Sequence, residues 1–452
     1  MENGSSRSVP QELADIIIDH LHDDPQSLQH CSFVCKAWEP SSALHLFSRF
    51  SWPPCNVYWV RPAVRGVCDC PLHTLTFEDC HDFFLSSPRV RKAVNHLRIT
   101  GLRTSRNPSV MEENEPLPLT FLFALPELLP GLQRLDAWNL RFGAGIIGPP
   151  PRIVSEAGPR SLTKLVLTGT AVLWDDRAIF SILSTFSHID TVVFECHCEE
   201  GLQEDIPFAS QVHRRFTSTS VHRLEVSYPP FLSHVLLRLR EQRDTSALRE
   251  VDVQYYLDEG LKRLIASAPL LEVLTFMTSD KPPRPPNPDM LRVLDMTCSI
   301  VAGDPEVQPN APQFGEFGWG EMIRNLDAFR AHELRELTLG VMLRELGCWG
   351  EHQRISQNVF DETLARRLRE EDWGTFRAVM KAHPKLRKLK VKLIVSGRWT
   401  AFHYMVPYLV CSARTFQDAV EACLGRDNSR SILEVVAEHH HMVGITNYYR
   451  YP

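Results

Sequence analysis

A six-residue pattern of apolar and polar positions recurs along most of this 452-residue chain. Apolar residues take its first, fourth and sixth positions, as in LTKLVL at 162 and LRVLDM at 291. Apolar side chains at alternate positions are typical of a short β-strand with one buried face. The other copies begin at residues 72, 94, 132, 189, 221, 248, 271, 334 and 386, and ILEVVA at 432 is a degraded last copy.

Amphipathic stretches with helical spacing separate these copies. Examples are DDRAIFSILSTF, FLSHVLLRLREQ, DEGLKRLIASA, EMIRNLDAFRA and WGTFRAVMKA. One short strand and one helix per unit is the leucine-rich-repeat arrangement, in which stacked neighbours bury a shared core. We therefore predict an α/β repeat, a leucine-rich-repeat-like solenoid with an inner curved parallel sheet and outer helices. Its spacing is irregular, and a doubly wound α/β enzyme is the alternative that strand-helix alternation also allows.

The first fifty residues have a different pattern, which predicts three short helices. Pro10 and Pro25 suit the starts of the first two, whereas Pro40 is expected to break or kink the third. Three short helices bury little surface alone, so we expect leftover apolar residues to form a partner-binding patch. The apolar positions are Leu13, Ile16, Ile17 and Leu21, then Leu28, Cys31 and Val34, then Cys35, Trp38, Leu44 and Phe47.

This region resembles the F-box, on the evidence of three stretches that occur in the order VPQELADIIIDHL, SLQHCSFVCKAW and HLF. Its usual pattern opens with Leu-Pro, continues with Glu-Leu and an Ile-rich helix, and closes on Val-Cys-x-x-Trp. The resemblance covers residues 8–50, and the wording IIDHLHDDP is similar to F-box proteins abundant in mushroom-forming (basidiomycete) fungi. Val9 stands where leucine is usual, and the polar link HDDPQ is longer than usual. The matching positions are Val9, Pro10, Glu12, Leu13, Ile17, Leu21, Leu28, Val34, Cys35 and Trp38.

The resemblance implies that these positions dock onto the Skp-type linker of an SCF-type cullin-RING ubiquitin ligase. The rest of the chain would then select a protein substrate. Such an adaptor is not an enzyme and needs no cofactor. Two alternatives remain open: the helices only cap the repeat domain, or they serve a scaffold outside ubiquitin transfer. The expected domains are a disordered segment at 1–8, an F-box at 9–50, a linker at 51–71, the repeat domain at 72–440 and a tail at 441–452.

Charge and composition narrow the class of partner. A net charge of −6 opposes a general nucleic-acid binder, because phosphate binding needs a surplus of Lys and Arg. The sequence MENGSSRSVP lacks the order of a signal peptide, and the apolar run MVPYLVCSA is shorter than the roughly 18 residues of a membrane span. The twelve cysteines are scattered, which favours reduced thiols. We expect a cytoplasmic or nuclear protein without membrane or nucleic-acid partners.

Residues between the apolar strand positions point away from the core and define the inner face of the sheet. Trp138 is the candidate anchor for a substrate, and Lys388, Lys390 and Lys392 form a basic stripe suited to an acidic or phosphorylated segment. The structural alternatives are packing of Trp138 on a neighbouring loop and an ordinary solvated edge strand. The predicted face includes His96, Arg98, Arg134, Asp136, Lys164, Val166, Val193, Glu195, Arg223, Glu225, Glu250, Asp252, Val273, Thr275, Val293, Asp295, Glu336 and Thr338. From these, the predicted substrate-binding residues are Arg134, Trp138, Lys388, Lys390 and Lys392.

Other chemistry is not indicated. The sequence has no Gly-rich phosphate loop, nucleophile elbow or metalloprotease helix. Zinc prefers two to four residues between paired cysteines. In the densest cluster of possible ligands, a single residue separates Cys68 from Cys70, so we expect no metal. CHC at 196 and HHH at 439 lack a second pair. The members of the densest cluster are Cys68, Cys70, His73, Cys80 and His81.

Two cysteines in CSFVCKAW lie four residues apart. That spacing suits neither a tight metal pair nor a redox dithiol. Cys31 is predicted to face the small core of the helices, as buried free cysteine often does. Cys35 and Trp38 are predicted to share a helical face one turn apart, and the F-box resemblance assigns that face to the linker.

Overall fold

A computed structural model of the chain describes part of it in two compact units. The first unit is Met1–Val193 with Ile206–Thr219, and the second is Phe194–Asp205 with Ser220–Pro452. The described residues are 9–52, 76–100, 118–138, 161–169, 182–183, 185–196, 219–227, 245–257, 259–278, 283–301, 319–329, 331–344, 366, 368–369, 373–397, 414–415, 417–423 and 433–441.

Three helices open the first unit: α1 (Gln11–His20), α2 (Pro25–Val34) and α3 (Glu39–Ser48). The carboxylate of Asp24 caps α2 by accepting a hydrogen bond from the Ser27 backbone N–H at 3.1 Å. Pro40 lies in the first turn of α3, where its missing N–H costs nothing, so it starts the helix and does not break it.

The predicted helical face joining Cys35 to Trp38 is wrong. Cys35 has extended backbone at φ −162° and ψ 163°, and Trp38 is the N-cap of α3. Both residues therefore lie in the turn between α2 and α3, closed by a hydrogen bond from the Trp38 N–H to the Cys35 carbonyl at 3.1 Å. The cause is Pro40, which fits a first turn only and so fixes where α3 begins.

A small apolar core holds the three helices together. Ile18, Leu28 and Cys31 are its buried centre, as predicted for Cys31. Polar contacts add to it, because Asp15 accepts a hydrogen bond from the Ser41 hydroxyl at 2.5 Å and joins α1 to α3. The partly buried residues packed against this core are Leu21, Trp38 and Leu46.

Strand β1 (Arg49–Trp52) follows α3 without an intervening residue. It pairs in parallel with β2 (His96–Thr100), so the sheet begins at 49, before the copy of the pattern at 72. The strand was not predicted, although FSRFSW at 47–52 has apolar residues at the first, fourth and sixth positions. Its first residue, Phe47, also fits the predicted third helix, and the F-box resemblance runs to residue 50.

The copy at 72 is not a strand where the structure describes it. Thr76 caps helix α4 (Phe77–Ser86), and its hydroxyl accepts from the Asp79 N–H at 3.1 Å. Asp79 in turn accepts from the Thr76 N–H at 2.7 Å, which completes a capping box. This reciprocal pair favours a helix start over the strand that the apolar alternation predicted. Residues 72–75 lie outside the described part.

The later copies of the pattern, from 94 to 432, each contribute a strand. The sheet has 12 strands ordered as in the sequence, and all pairs whose register is described are parallel. A doubly wound sheet reverses its order at a switch point, so the doubly wound fold is wrong for this chain. After β2 the strands are β3 (Arg134–Trp138), β4 (Ser161–Gly169), β5 (His188–Cys196), β6 (Ser220–Val226), β7 (Glu250–Tyr256), β8 (Val273–Thr278), β9 (Val293–Val301), β10 (Glu336–Arg344), β11 (Lys388–Gly397) and β12 (Leu433–His441).

Helices lie between several of the strands in the described part, in the arrangement expected of an α/β repeat. Three of the five quoted helical stretches are confirmed as the last three helices below. DDRAIFSILSTF lies mostly, and FLSHVLLRLREQ wholly, outside the described residues. Besides α4, the helices are α5 (Pro88–Ala93), α6 (Leu119–Leu128), α7 (Glu259–Ile265), α8 (Trp319–Phe329) and α9 (Trp373–Ala382).

The fourth position of the pattern forms the core row of the second unit. Its members lie side by side in register and are all buried. Each such side chain contributes about 1.5–3 kcal/mol relative to an exposed one, which explains why the leucine position recurs so strictly. From β6 to β11 the row is Leu224, Val251, Leu274, Leu294, Leu337 and Leu389.

Candidate partner-binding surfaces

The three N-terminal helices expose more large apolar side chains than the rest of the described chain. Seven of the eight exposed large apolar residues lie on or next to them, and Phe33 is 77% exposed. Apolar exposure of this density marks interaction sites in soluble proteins. The seven are Val9, Leu13, Ile16, Ile17, Phe33, Val34 and Leu44, and the eighth is Leu85 on α4.

Helix α1 is apolar on two sides. Ala14 and Ile18 are buried, while Leu13, Ile16 and Ile17 remain exposed. Of the three consecutive isoleucines at 16–18, one therefore supports the fold and two lie on the surface. This division explains how so short a helix packs and still presents apolar side chains.

The ten predicted linker-binding residues divide between surface and core. Leu28 is buried, and Leu21 and Trp38 are half-buried against the core, so these three support the helices from inside. The other seven are exposed: Val9, Pro10, Glu12, Leu13, Ile17, Val34 and Cys35. Phe33 was not among the predicted residues. Phe33 lies on a different side of α2 from the buried residues Leu28 and Cys31, and this helical spacing is the sequence signal that could have identified it.

A second candidate surface is the polar face of β2 and β3, and Asp136 lies at its centre. The register places His96 beside Arg134, and Arg98 beside Asp136. The Asp136 side chain is 1% exposed. Arg134 donates to it twice, from Nε to Oδ1 at 2.8 Å and from Nη2 to Oδ2 at 3.0 Å. We call His96, Arg98, Arg134, Asp136 and Trp138 the β2–β3 cluster.

Two further groups contact the same carboxylate. His96 Nε2 lies 2.9 Å from Oδ2, and because a carboxylate only accepts, the imidazole donates from Nε2. Arg98 Nη2 forms an ion pair with Oδ2 at 3.5 Å. Burial alone raises the pKa of Asp136, but the hydrogen bonds and charges of His96 and Arg134 outweigh it and hold the pKa below its ordinary value. Asp136 is therefore a buried anion with its charge compensated.

Trp138 lies under an arginine of this cluster. The Arg98 guanidinium carbon is 4.6 Å from the centre of the indole ring, a cation–π arrangement. Trp138 is half-buried, and its role as a substrate anchor stays a prediction. Arg134, the other predicted contact in this region, has a side chain that is 40% exposed.

The predicted lysine stripe belongs to β11, which lies between β10 and β12 and is not an edge strand. Lys392 Nζ is 3.0 Å from an Asp295 oxygen, and Lys388 Nζ is 3.3 Å from a Glu434 oxygen. Lys390 is half-buried. Carboxylates on β9 and β12 therefore balance two of the three charges, which weakens the interpretation of this stripe as an anion site.

The lysine on β11 reaches β9 because Gly340 leaves space on the strand between them. Gly340 is in register with Thr297 on one side and Lys392 on the other. A Cβ at this position would lie 2.3 Å from the Thr297 hydroxyl oxygen. A glycine inside a strand often marks such a close approach.

The cysteine and histidine groups considered for zinc receive no support from the described positions. Cys80 is a buried free thiol on α4, between Phe77 and Phe84, and burial raises its pKa. His81 is partly exposed beside Asp82. Cys68, Cys70 and His73 lie outside the described residues, as do the side chains of the CHC and HHH runs.

Comparisons with known proteins give no family assignment. No protein-family model matches the chain, and no curated protein matches it. The resemblance to the F-box therefore depends on the residues quoted above. Among the helices of the described part, none has the length and apolar character needed to cross a membrane.

Proposed function

We propose that this protein is the substrate-recognition subunit of an SCF-type cullin-RING ubiquitin ligase. Its N-terminal helices dock onto a Skp-type linker, and its leucine-rich-repeat-like domain binds a protein substrate. The observation that carries the proposal is the exposed apolar set on α1–α3, at positions where the sequence resembles an F-box. The subunit performs no bond chemistry; it raises the effective concentration of substrate lysines near the ubiquitin-charged enzyme, in the cytoplasm or nucleus.

The connection between the helices and the sheet favours this role. Helix α3 continues directly into β1, and the Asn95 N–H donates to the Ser48 carbonyl at 3.0 Å. The Trp52 indole donates from Nε1 to the Thr76 carbonyl at 3.1 Å, and Arg89 on α5 forms an ion pair with Glu39 on α3. A docking element fixed to the start of the sheet holds a bound substrate at a defined distance from the linker.

Aromatic packing adds to this connection. The Phe50 ring stacks on Phe83 with centroids 5.3 Å apart, and lies 5.0 Å from Phe84. Both phenylalanines belong to α4, so β1 is held from the α4 side as well as by β2. Such contacts are worth about 0.5–1.5 kcal/mol each beyond area burial.

The test is binding of a purified Skp-type linker to the full chain carrying Leu13→Ala and Ile17→Ala. Both side chains are exposed in the free protein, so the variant is expected to fold. Loss of about six buried carbons should weaken linker binding roughly a hundredfold or more. Binding is measured by calorimetry, and circular dichroism checks the fold.

Leu85→Ala is the matched control, because Leu85 and Leu13 are both 53% exposed and both lie on helices. It should leave linker binding unchanged. A folded double variant that binds as well as the wild type would contradict the docking role. Capture of a cullin together with the linker separates ubiquitin transfer from the alternative, a scaffold that binds the linker alone.

A further inference from the structure

We propose that a row of exposed arginines in the second unit binds an acidic segment of a partner protein. The row occupies the second position of the six-residue pattern, so each member directly precedes a strand, from β7 to β11. The proposal goes beyond the proposed function, because it rests on residues of the second unit alone and requires no linker. We call Arg249, Glu272, Arg292, Arg335 and Arg387 the arginine row.

Backbone hydrogen bonds hold the arginine row in line. The Arg292 N–H donates to the Glu272 carbonyl at 2.8 Å, and the Arg335 N–H donates to the Arg292 carbonyl at 2.8 Å. The Arg387 N–H continues the line to the Arg335 carbonyl, also at 2.8 Å. Neighbouring strands of a sheet lie about 4.8 Å apart, so successive members of the row follow at roughly that interval. The row is therefore a fixed line of side chains and not a set of scattered surface charges.

The same backbone line in the first unit is built without cations. The residues at this position of its described strands are Ser48, Asn95, Gln133, Thr163 and Asp190. The Gln133 N–H donates to the Asn95 carbonyl at 2.7 Å, and the Thr163 N–H donates to the Gln133 carbonyl at 2.8 Å. Both donors belong to exposed residues, as they do in the arginine row. The fold therefore does not require arginine at this position.

Charges within the arginine row are only partly balanced. Glu272 lies between two arginines and forms ion pairs with both, with Arg249 and, at 3.1 Å, with Arg292. Neither Arg335 nor Arg387 forms an ion pair with any residue that the structure describes. One carboxylate therefore serves the first two guanidinium groups of the row, and the last two remain exposed to solvent.

The acids next to Arg335 in the sequence do not pair with it. Glu333 forms its ion pair with Lys385, and Glu336 forms none with the residues that the structure describes. The hydrogen bond from Lys385 holds the pKa of Glu333 below its ordinary value, and the charges of Lys385, Arg335 and Arg292 add to this effect. The arginines therefore create a positive potential around the row, which attracts anions.

The arginine row also opposes stability. Pairing of β10 with β9 and β11 places Arg292, Arg335 and Arg387 on three adjoining strands, each one residue before the paired region. Like charges opposite one another on neighbouring strands are destabilising. Neutral residues would avoid this repulsion and would keep the backbone line, as they do in the first unit. An arrangement that costs stability and that the fold does not need is best explained by a ligand of opposite charge.

An acidic protein segment fits this line better than a nucleic acid. A guanidinium group binds a carboxylate through two parallel N–H bonds. An extended peptide advances about 3.3 Å per residue, so three or four residues span the last three arginines of the row. Nucleic-acid binding depends on many phosphate contacts and a surplus of Lys and Arg, whereas this chain has a net charge of −6. The partner segment is therefore rich in aspartate and glutamate.

The experiment measures binding of labelled peptides to the purified full chain by fluorescence anisotropy. The probe is a peptide of alternating glutamate and serine, about eight residues long so that it exceeds the span of the row. The reference peptide has glutamine in place of every glutamate. The glutamate peptide should bind at least about tenfold more tightly than the reference at low salt. Added salt should weaken its binding, because salt screens exposed charges.

Arg335→Gln combined with Arg387→Gln should weaken binding of the glutamate peptide about tenfold or more, since an exposed ion pair contributes up to about fivefold. This variant is expected to fold, because Gln133 occupies the equivalent position in the first unit, and circular dichroism checks it. The matched control is Arg49→Gln combined with Lys92→Gln, which also removes two exposed cations and changes the net charge equally. It should leave binding unchanged.

If the double variant fails to fold, Arg387→Gln alone decides, and its expected loss is up to about fivefold. Equal binding of the glutamate and glutamine peptides would overturn the proposal. So would wild-type affinity in the folded Arg387→Gln variant, or an equal loss in the control. Tighter binding of a thymidine oligonucleotide than of the glutamate peptide would overturn it in favour of a nucleic-acid site. None of these measurements uses the linker, so a failure here leaves the docking role standing.

Discussion

Strands β3 and β6 carry almost the same tripeptide at the same position of the repeat, RLD at 134–136 and RLE at 223–225. On β3 the carboxylate of Asp136 is 1% exposed and three basic side chains surround it. On β6 the carboxylate of Glu225 is 22% exposed and shares Arg223 with another acid. The local sequence does not explain this difference.

The neighbouring strands explain it. Beside β3, the strand β2 contributes His96 and Arg98 at the facing positions. Beside β6, the strand β7 contributes Glu250 and Asp252. Each copy of the pattern therefore fixes which side chains are buried, but the charge of its polar face depends on the copies beside it in the sheet. Cross-strand pairs determine the interactions of a sheet face.

The largest expected effect comes from neutralising the carboxylate on β3. Asp136→Asn removes the charge of a carboxylate that is 1% exposed and that His96, Arg98 and Arg134 contact, and breaking a buried ion pair costs about 3–5 kcal/mol of the free energy of unfolding. Glu225→Gln at the equivalent position should cost about 1 kcal/mol or less, since it removes a partly exposed pair. Urea unfolding of both variants measures the difference. Equal losses would show that the two tripeptides have the same role.

A smaller loss of stability is expected from substituting Gly340 on β10, which leaves space for the contact between β9 and β11. Gly340→Ala places a Cβ 2.3 Å from the Thr297 hydroxyl oxygen, so Thr297 must shift and the path of Lys392 to Asp295 narrows. Overpacking of this kind costs about 1–3 kcal/mol.

Gly131→Ala is the matched control for this substitution. Its added Cβ would lie 3.4 Å from the Lys92 and Val94 carbonyl oxygens, which neighbours can accommodate by a small shift. Thermal unfolding should show a larger loss for Gly340→Ala than for Gly131→Ala. An equal loss of thermal stability in both variants would mean that the space beside Gly340 does not contribute to the stability of the fold.

The repeat itself could be predicted from the sequence, because core leucines recur at positions that every unit must bury. Two errors have physical causes. FSRFSW at 47–52 was missed because its first residue also fits the last turn of a helix, and LHTLTF at 72 was predicted as a strand because apolar alternation does not register the capping box of Thr76 and Asp79.

The candidate surfaces were predictable to a lesser degree. Side chains alternate between the two faces along a single strand, and this alternation correctly predicted that Arg134 and Trp138 lie on the polar face. The central role of Asp136 did not follow, because His96 and Asp136 are 40 residues apart in sequence and meet only in the register of β2 with β3. Likewise, the exposure of Phe33 depends on which side of α2 packs on the other helices.

The smallest expected effect is a pH dependence specific to β3. The pKa of Asp136 is lower in the folded chain than in the unfolded chain, where a carboxyl of this type titrates at about pH 4. Its contribution to stability is therefore fully present above that pH. It is lost as the pH falls through the lower, folded-state pKa, because the unfolded chain takes up the proton first.

The free energy of unfolding of the wild type minus that of Asp136→Asn should thus shrink as the pH falls below about 4. Other carboxyls with lowered pKa, namely Asp15, Asp24, Asp79 and Glu333, are present in both proteins and cancel in this difference. Urea unfolding between about pH 3 and pH 7 provides the measurement. A difference that stays constant across this range would mean that His96, Arg98 and Arg134 do not stabilise the charged form of Asp136, and the contrast between β3 and β6 would then be one of packing alone.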